Sequence, residues 1–279
     1  MPAIGFQVPA MAPDSTALSC VQFAQHAEAL GAHSVWVPDR LLYRSPEALV
    51  TLAAIAAETS RVRLGINVRL GVSRPPVLLA KTLATLDVLS GGRLIVGLGV
   101  GSRSDDFAAS HVPLRQRGRP VVILSPSASL RTSSAKDPRA GAVSAKRIPS
   151  LRSRTGSSQA QDDNRTALGE QPLQEPHPPL WFGGGADAVL QRTARPGDGW
   201  IASTSTGLSG FTPRWTAIQH YAMELGRDPA TITPAALMHF SIDTDADRAL
   251  LILSPITAEP SRLDLFAKTV IPRLPLTPL

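Results

Sequence analysis

LDVLSGGRLIVGLGVG, residues 86–101, decides how the rest of the chain is read. It reads as a helix end, a tight turn, a strand and a glycine-rich exit. Ser90-Gly91-Gly92 supplies the turn, because glycine takes the positive φ that ends a helix. Arg93 to Leu98 is apolar and β-branched enough to be buried on both faces, as a parallel strand is. Gly99-Val100-Gly101 then lets a ligand approach the backbone at the strand's carboxyl end, where ligands bind in α/β folds.

Working outward, the same alternation recurs. Ala3–Val8 is a first strand. Pro13-Asp14-Ser15 offers an N-cap for a helix carrying Leu18, Val21, Ala24, Ala27 and Leu30, closed by Gly31. Ser34–Val37 is a second strand ending at Pro38-Asp39-Arg40. Pro46–Ser60 is helical, Arg63–Leu70 a third strand and Pro75–Leu89 a helix with proline in its first turn. Units of about 30 residues in the order βαβαβαβ predict a parallel sheet with crossover helices. No dinucleotide fingerprint follows the first strand, and Gly97-x-Gly99-x-Gly101 follows the fourth. The expectation is therefore a closed (β/α)8 barrel rather than a doubly wound sheet, in one domain spanning 1–279.

Beyond Gly101 the pattern fails. Residues 119–165 hold ten serines, and no aromatic occurs between Phe107 and Trp181. Apart from PVVIL at 120–124, neither helical nor strand periodicity is present. Order returns with HPPLWFGGG (177–185), a strand and a glycine turn. A helix at Ala186–Arg195, a strand at Gly199–Ala202, a helix at Pro213–Leu225 ended by Gly226, a strand at Leu237–Ile242 and a closing helix at Leu263–Leu274 follow.

Composition bounds the function classes. The 279 residues are 43% hydrophobic and 18% charged, enough for a large core. No run of 18 apolar residues predicts a membrane span, and the N-terminus lacks a signal-peptide pattern, so a cytoplasmic location is expected. The single cysteine, Cys20, excludes an internal disulfide and reads as a small buried residue on the first helix. The net charge of +6 suggests nucleic acid, but residues 115–165 carry 11 of the 28 basic and 3 of the 22 acidic residues. The remainder is net −2, and no aromatic residues accompany the basic segment to stack on bases. No nucleic-acid partner is expected.

The motifs SVWVPDR (34–40), AAETSRVRLGINV (56–68), RPPVLLAKTLATLDVLSGGRLIVGLGVG (74–101), HPPLWFGGG (177–185) and RPGDGWIAS (195–203) resemble those of the bacterial-luciferase-like flavin and deazaflavin oxidoreductases. The likeness covers roughly 1–118 and 171–279 and is closest to the branch that uses coenzyme F420. It implies a barrel with the cofactor, F420 or alternatively FMN, at the carboxyl ends of the strands, and a small organic substrate. It implies a non-prolyl cis peptide at Asn67-Val68, forming a bulge behind the flavin ring. It places Asp39 near ring and substrate as the catalytic candidate, and it favours a homodimer. Arg40 departs from a histidine common in related sequences, which leaves histidine-based proton transfer without its residue.

The residues themselves suit such chemistry. A hydride-transferring flavin needs a flat apolar slot and few catalytic side chains. Gly99 and Gly101 supply close approach. Gly183, Gly184 and Gly185 precede a helix N-terminus, where backbone N–H groups bind phosphate, and Ser203, Thr204 and Ser205 add hydroxyls after the next strand. Asp87 and Arg93, at the other end of the fourth strand, tie helix to strand. His26 and His111 lack partners at ligand spacing, so no metal site is expected. Trp181 and Trp200 read as core residues.

The resemblance implies a fourth helix and a fifth strand, among other elements, between about 118 and 170. The text found there is what an out-of-frame reading of a GC-rich gene gives, and a compensated frameshift and a genuine basic insertion both account for it. Either way the barrel is expected to be incomplete at this point, with the alternative that the chain only binds and does not catalyse. The nucleotide sequence in the shifted frame separates the two origins.

Overall fold

The computed structural model describes residues 4–70, 74–116, 122–124, 130–132 and 171–237. Strand β1 (Gly5–Gln7) leads to helix α1 (Ala17–Ala29), β2 (Ser34–Val37), α2 (Ala48–Glu58), β3 (Arg63–Ile66), β4 (Arg69–Leu70), α3 (Pro76–Leu89), β5 (Leu94–Gly99) and the short α4 (Ser104–Ala109). β6 (Val122–Leu124) and β7 (Leu130–Thr132) form a small antiparallel ribbon. Then come β8 (Leu180–Gly183), α5 (Asp187–Ala194), β9 (Gly199–Ala202), α6 (Gly207–Glu224) and β10 (Thr233–Ala236).

The main sheet runs β1-β2-β3-β5-β8-β9-β10, with β4 beside β5, and its pairs are parallel. Strands follow one another around the sheet in chain order, with no reversal. That is the winding of a barrel and not of a doubly wound sheet. Seven strands form the path, and the closing helix expected at Leu263–Leu274 lies outside the described residues.

The expected incompleteness lies in the crossover. β5 pairs directly with β8, Val96 opposite Leu180 and Leu98 opposite Phe182. The fifth sheet position is therefore filled by 180–183, from beyond the anomalous segment. Among the described residues between Gly99 and Leu180, only α4, six residues long, is α-helical. Most of 119–165 lies outside the described residues.

Local chemistry sets the element ends. Thr16, not Asp14 or Ser15, caps α1: its Oγ1 accepts from Ser19 N at 3.1 Å while Ser19 Oγ accepts from Thr16 N at 2.9 Å. Glu47 caps α2 through Val50 N. Gly91 and Gly92 take φ of 66° and 76° and turn α3 into β5. Asp87, fully buried, accepts from Gln174 N and Nε2, fixing the chain that returns into β8. Arg93 donates to Ser90, Ala56, Thr59 and Val62, joining α2's end to the entry of β3.

Two elements differ from expectation. α6 begins at Gly207, so Pro213 lies inside it rather than in its first turn. The cost of an interior proline is offset by packing: the Phe211 ring lies 5.1 Å from that of Trp200, in a cluster with Leu190, Ile218 and Ala222. The last described strand is Thr233–Ala236, not Leu237–Ile242, of which 238–242 lie outside the described residues. It carries Pro234, compatible with a strand whose second edge is unpaired among the described residues.

One sheet face packs on the helices. Phe6, Val8, Val35, Val37, Leu64, Ile66, Leu94, Val96, Leu98, Leu180 and Phe182 share a buried cluster with Phe23 and Ala27 of α1 and with Leu52 and Ile55 of α2. Cys20 sits in that cluster, and burial pushes its thiol up, as expected of a packing residue. The alternate residues face the other way, into the barrel. There glycines make room for two indoles. Trp36 fills the space beside Gly5 and Gly65, Trp181 covers Gly199, and the two indoles tilt together at 5.4 Å.

Candidate cofactor site at the strand exits

Above the indoles, at the carboxyl ends of the strands, β3 breaks. Gly65 pairs with Ile95 and Arg69 with Leu98, so three residues of one strand oppose two of its neighbour. That is a bulge, and the Asn67-Val68 peptide bond within it is cis, as the resemblance implied. The bulge turns Val68 onto β5 and β8. A Cβ on Gly99 would collide with Val68 Cγ2, and one on Gly183 would stand 2.7 Å from Val68 Cγ1. Gly97 has no room either, because the Ile66 carbonyl lies against it. Asn67, Val68, Gly99 and Gly183 thus meet as an apolar shelf. Gly101, at φ 72°, opens the chain beyond it.

Sequence reasoning missed Gln7. It is the one polar residue in the apolar run Ile4–Val8, a signal that was available. Its side chain is buried on the inner face, and its Oε1 accepts from Asn67 Nδ2 at 3.2 Å. The amide pair holds the bulge against the end of β1.

Asp39 is buried just past the end of β2. Its Oδ2 is 3.3 Å from Arg69 Nη1 and 3.2 Å from Arg74 Nη1. Both arginines also meet Glu47 Oε1, at 3.1 Å and 2.9 Å. Two carboxylates and two guanidiniums therefore balance in one cluster. Burial opposes ionisation of Glu47, but the Val50 N–H and the two guanidiniums outweigh it and hold its carboxyl below the ordinary range. Asp39 ties the exit of β2 to the exit of β4 and the start of α2.

The glycine loop and the hydroxyl segment are neighbours, because Gly183 pairs with Ile201. Gly184 has φ 123°, its N–H donates to Ile201 O and its carbonyl accepts from Trp200 Nε1 at 2.7 Å. Helix α5 already carries an anion in its first turn, Asp187. Helix α6 carries none, and it follows Ser203, Thr204, Ser205 and Thr206 directly. Ser203 Oγ lies 2.9 Å from Ser205 Oγ and 3.2 Å from Thr206 Oγ1. Arg214 lies alongside, donating to Gly185 O and Gly210 O.

The family model for luciferase-like monooxygenases matches residues 5–121 and 153–268. The chain belongs to this family. The match resumes at 153, which confines the unmatched text to 122–152. An uncharacterized protein of Mycobacterium tuberculosis is 43% identical over 81 residues, 29% of each chain. The F420-dependent glucose-6-phosphate dehydrogenase of Kineococcus radiotolerans is 27% identical over 236 residues, 82% of this chain and 65% of its own. Among solved structures, the oxygenating constituent of 3,6-diketocamphane monooxygenase from Pseudomonas putida, in complex with FMN, superposes with a TM-score of 0.63 at 17% identity, over 98% of this chain and 75% of its own. That likeness shows the fold. The chain spans under a third of the first of these relatives and just under two thirds of the second.

Proposed function

We propose that the protein is an oxidoreductase that moves hydride between coenzyme F420 and a small organic substrate. The observation that carries this is the shelf of Val68 seated on Gly99 and Gly183, beside the Asn67 bulge. A flat ring needs an apolar surface without projecting Cβ atoms, and this family member keeps glycine at the positions where one would intrude. F420 is favoured by the closeness of the motifs to the F420-using branch and by the dehydrogenase relative, which is named for that cofactor. FMN is the second reading, favoured by the FMN-bound monooxygenase of the same fold.

The residues fit a phosphate-bearing cofactor. Ser203 and Thr204 hydroxyls and the first turn of α6 would hold the phosphate, with Gly184 and Gly185 leaving the backbone open beside them and Arg214 adding charge. Helix α5 is the poorer anion site, because Asp187 occupies its first turn. When bound, the cofactor supplies the hydride chemistry. The protein's part is to bind and orient it: Gln7 holds Asn67, Val68 backs the ring, and Asp39 fixes the strand exits around it through Arg69 and Arg74.

Titrating the purified protein with F420 and with FMN, followed by cofactor absorbance, tests the choice. F420 is expected to bind saturably and more tightly. FMN binding while F420 does not would transfer the site to the monooxygenase reading. Hydride transfer by the protein would exclude the reading of a barrel that only binds.

A further inference from the structure

Resting on that reading, the two walls of the phosphate site share one fastener. One wall is the glycine loop at 183–185, at the end of β8. The other is the first turn of α6 with the hydroxyl segment before it. Arg214 lies one turn on from Gly210 in α6, and its side chain folds back toward the helix start. Nη1 donates to Gly210 O at 2.9 Å, and Nε donates to Gly185 O at 3.1 Å. One guanidinium therefore spans both walls. Both partners are glycine for space and not for conformation. Neither has a positive φ, yet a Cβ on Gly185 would stand 2.7 Å from Nε and one on Gly210 2.5 Å from Nη1. A methyl at either position would dislodge the guanidinium. Gly210 lies inside a helix, where alanine is the more favourable residue, so room for Arg214 accounts for it. The same side of α6 is fastened again seven residues on, where Tyr221 OH donates to Asp187 Oδ1 at 2.6 Å. Arg40, Arg69, Arg74 and Arg227 each face a carboxylate. Among the described residues Arg214 faces none, and its recorded partners are the two glycine carbonyls.

We propose that Arg214 is a positioning residue: it fixes the first turn of α6 against the glycine loop, and so lets the site favour a phosphorylated cofactor over its phosphate-free form. The bridge, and not the charge alone, does this. A guanidinium is a rigid planar fork that reaches two carbonyls at once, whereas lysine keeps the charge on a compact head without the fork. Loss of the bridge leaves the helix start and the glycine loop free to separate, and a small anion held between two walls is sensitive to their spacing.

Titration of the full chain with F420 and its phosphate-free deazaflavin riboside, and with FMN and riboflavin, tests this as an affinity ratio within each pair. Wild type is expected to favour the phosphorylated member by about tenfold or more. Arg214→Met and Arg214→Lys each reduce that ratio to about threefold or less. Gly210→Ala does the same while Arg214 is present, and adds no further loss to Arg214→Ala, because its methyl then meets no guanidinium. Hydrogen exchange of the glycine-loop amides quickens in Arg214→Met. A wild type without the preference, or Arg214→Met keeping it, would overturn the assignment. So would Arg214→Lys keeping it in full, which would reduce Arg214 to its charge, or Gly210→Ala losing as much without Arg214 as with it. Failure of all four ligands to bind the wild type would overturn the cofactor reading itself, whereas a ratio that ignores Arg214 overturns this assignment alone.

Discussion

Three residues, Val68, Gly99 and Gly183, constrain one another at the strand exits. Val68 has no free volume toward Gly99 or Gly183, so a methyl at either position must displace it. Gly99→Ala is expected to destabilise the protein by about 1–3 kcal/mol, as overpacking does, and to weaken cofactor binding. Thermal unfolding and cofactor titration measure the two effects. Adding Val68→Ala should recover much of the stability lost, because the removed methyls are the ones in collision. Additive losses in the double variant would mean that the shelf is not where the contact lies. At this scale the sequence was most legible where glycine is obligatory. Gly99 was readable as a close-approach point and Gly183 as part of a glycine loop before a helix, although only the fold shows that Val68 approaches both. The cis bond at Asn67 was legible through family likeness alone. Gln7 was legible as a polar residue out of place, and it was passed over. Asp39 was readable as a residue at the strand exit, while its arginine partners, thirty and more residues away, were not.

Between elements, charged side chains reach across turns and hold helix to strand. Glu28 on α1 accepts from the backbone N–H groups of Ser60, Arg61 and Val62. Burial alone would raise its carboxyl. The Val62, Arg61 and Ser60 N–H groups and the Arg61 charge outweigh that and hold it below the ordinary range. The folded-state value lies below the unfolded one, so this stabilisation is complete above the unfolded carboxylate range and fades as pH falls toward the folded value. Glu28→Gln should therefore cost stability at pH 7, by about 1 kcal/mol, and lose less on acidification than wild type. Denaturant melts at pH 7 and pH 4 measure both. Arg93 makes a larger staple, with side-chain bonds to Ser90, Ala56, Thr59 and Val62. Arg93→Met should destabilise by about 2–4 kcal/mol by orphaning those acceptors, with cofactor affinity per folded molecule retained. Element order was legible from periodicity up to Gly101, because each strand and helix is long enough to show its period. The start of α6 was not, because the packing of Phe211 on Trp200 overrides the proline signal at 213. Nor was β10, whose Thr-Pro-Ala-Ala text carries no strand pattern.

Across the whole molecule, β5 and β8 are sheet neighbours although the anomalous text lies between them in the chain. β5 hands over to β8 with direct pairing, and Gln174 anchors the returning chain to Asp87 and to the Leu94 carbonyl. Among the described residues, no strand of 122–152, the segment the family model leaves unmatched, pairs with the main sheet. The barrel class and its incompleteness after β5 were legible through the family likeness, while the direct pairing of β5 with β8 was not, because sequence position alone does not say which strand pairs with β5. Sequencing the gene across this region should show whether luciferase-like text lies in a shifted frame; none in either frame would leave the insertion as its origin. Function then depends on whether the strand exits assemble a working slot around Val68. Titration of wild type and Gly99→Ala with F420, followed by cofactor absorbance, measures this most directly. The account predicts saturable binding by wild type that is weakened at least about tenfold in Gly99→Ala and recovered on adding Val68→Ala. Binding that ignores both substitutions, or no binding of F420 by the wild type, would contradict it.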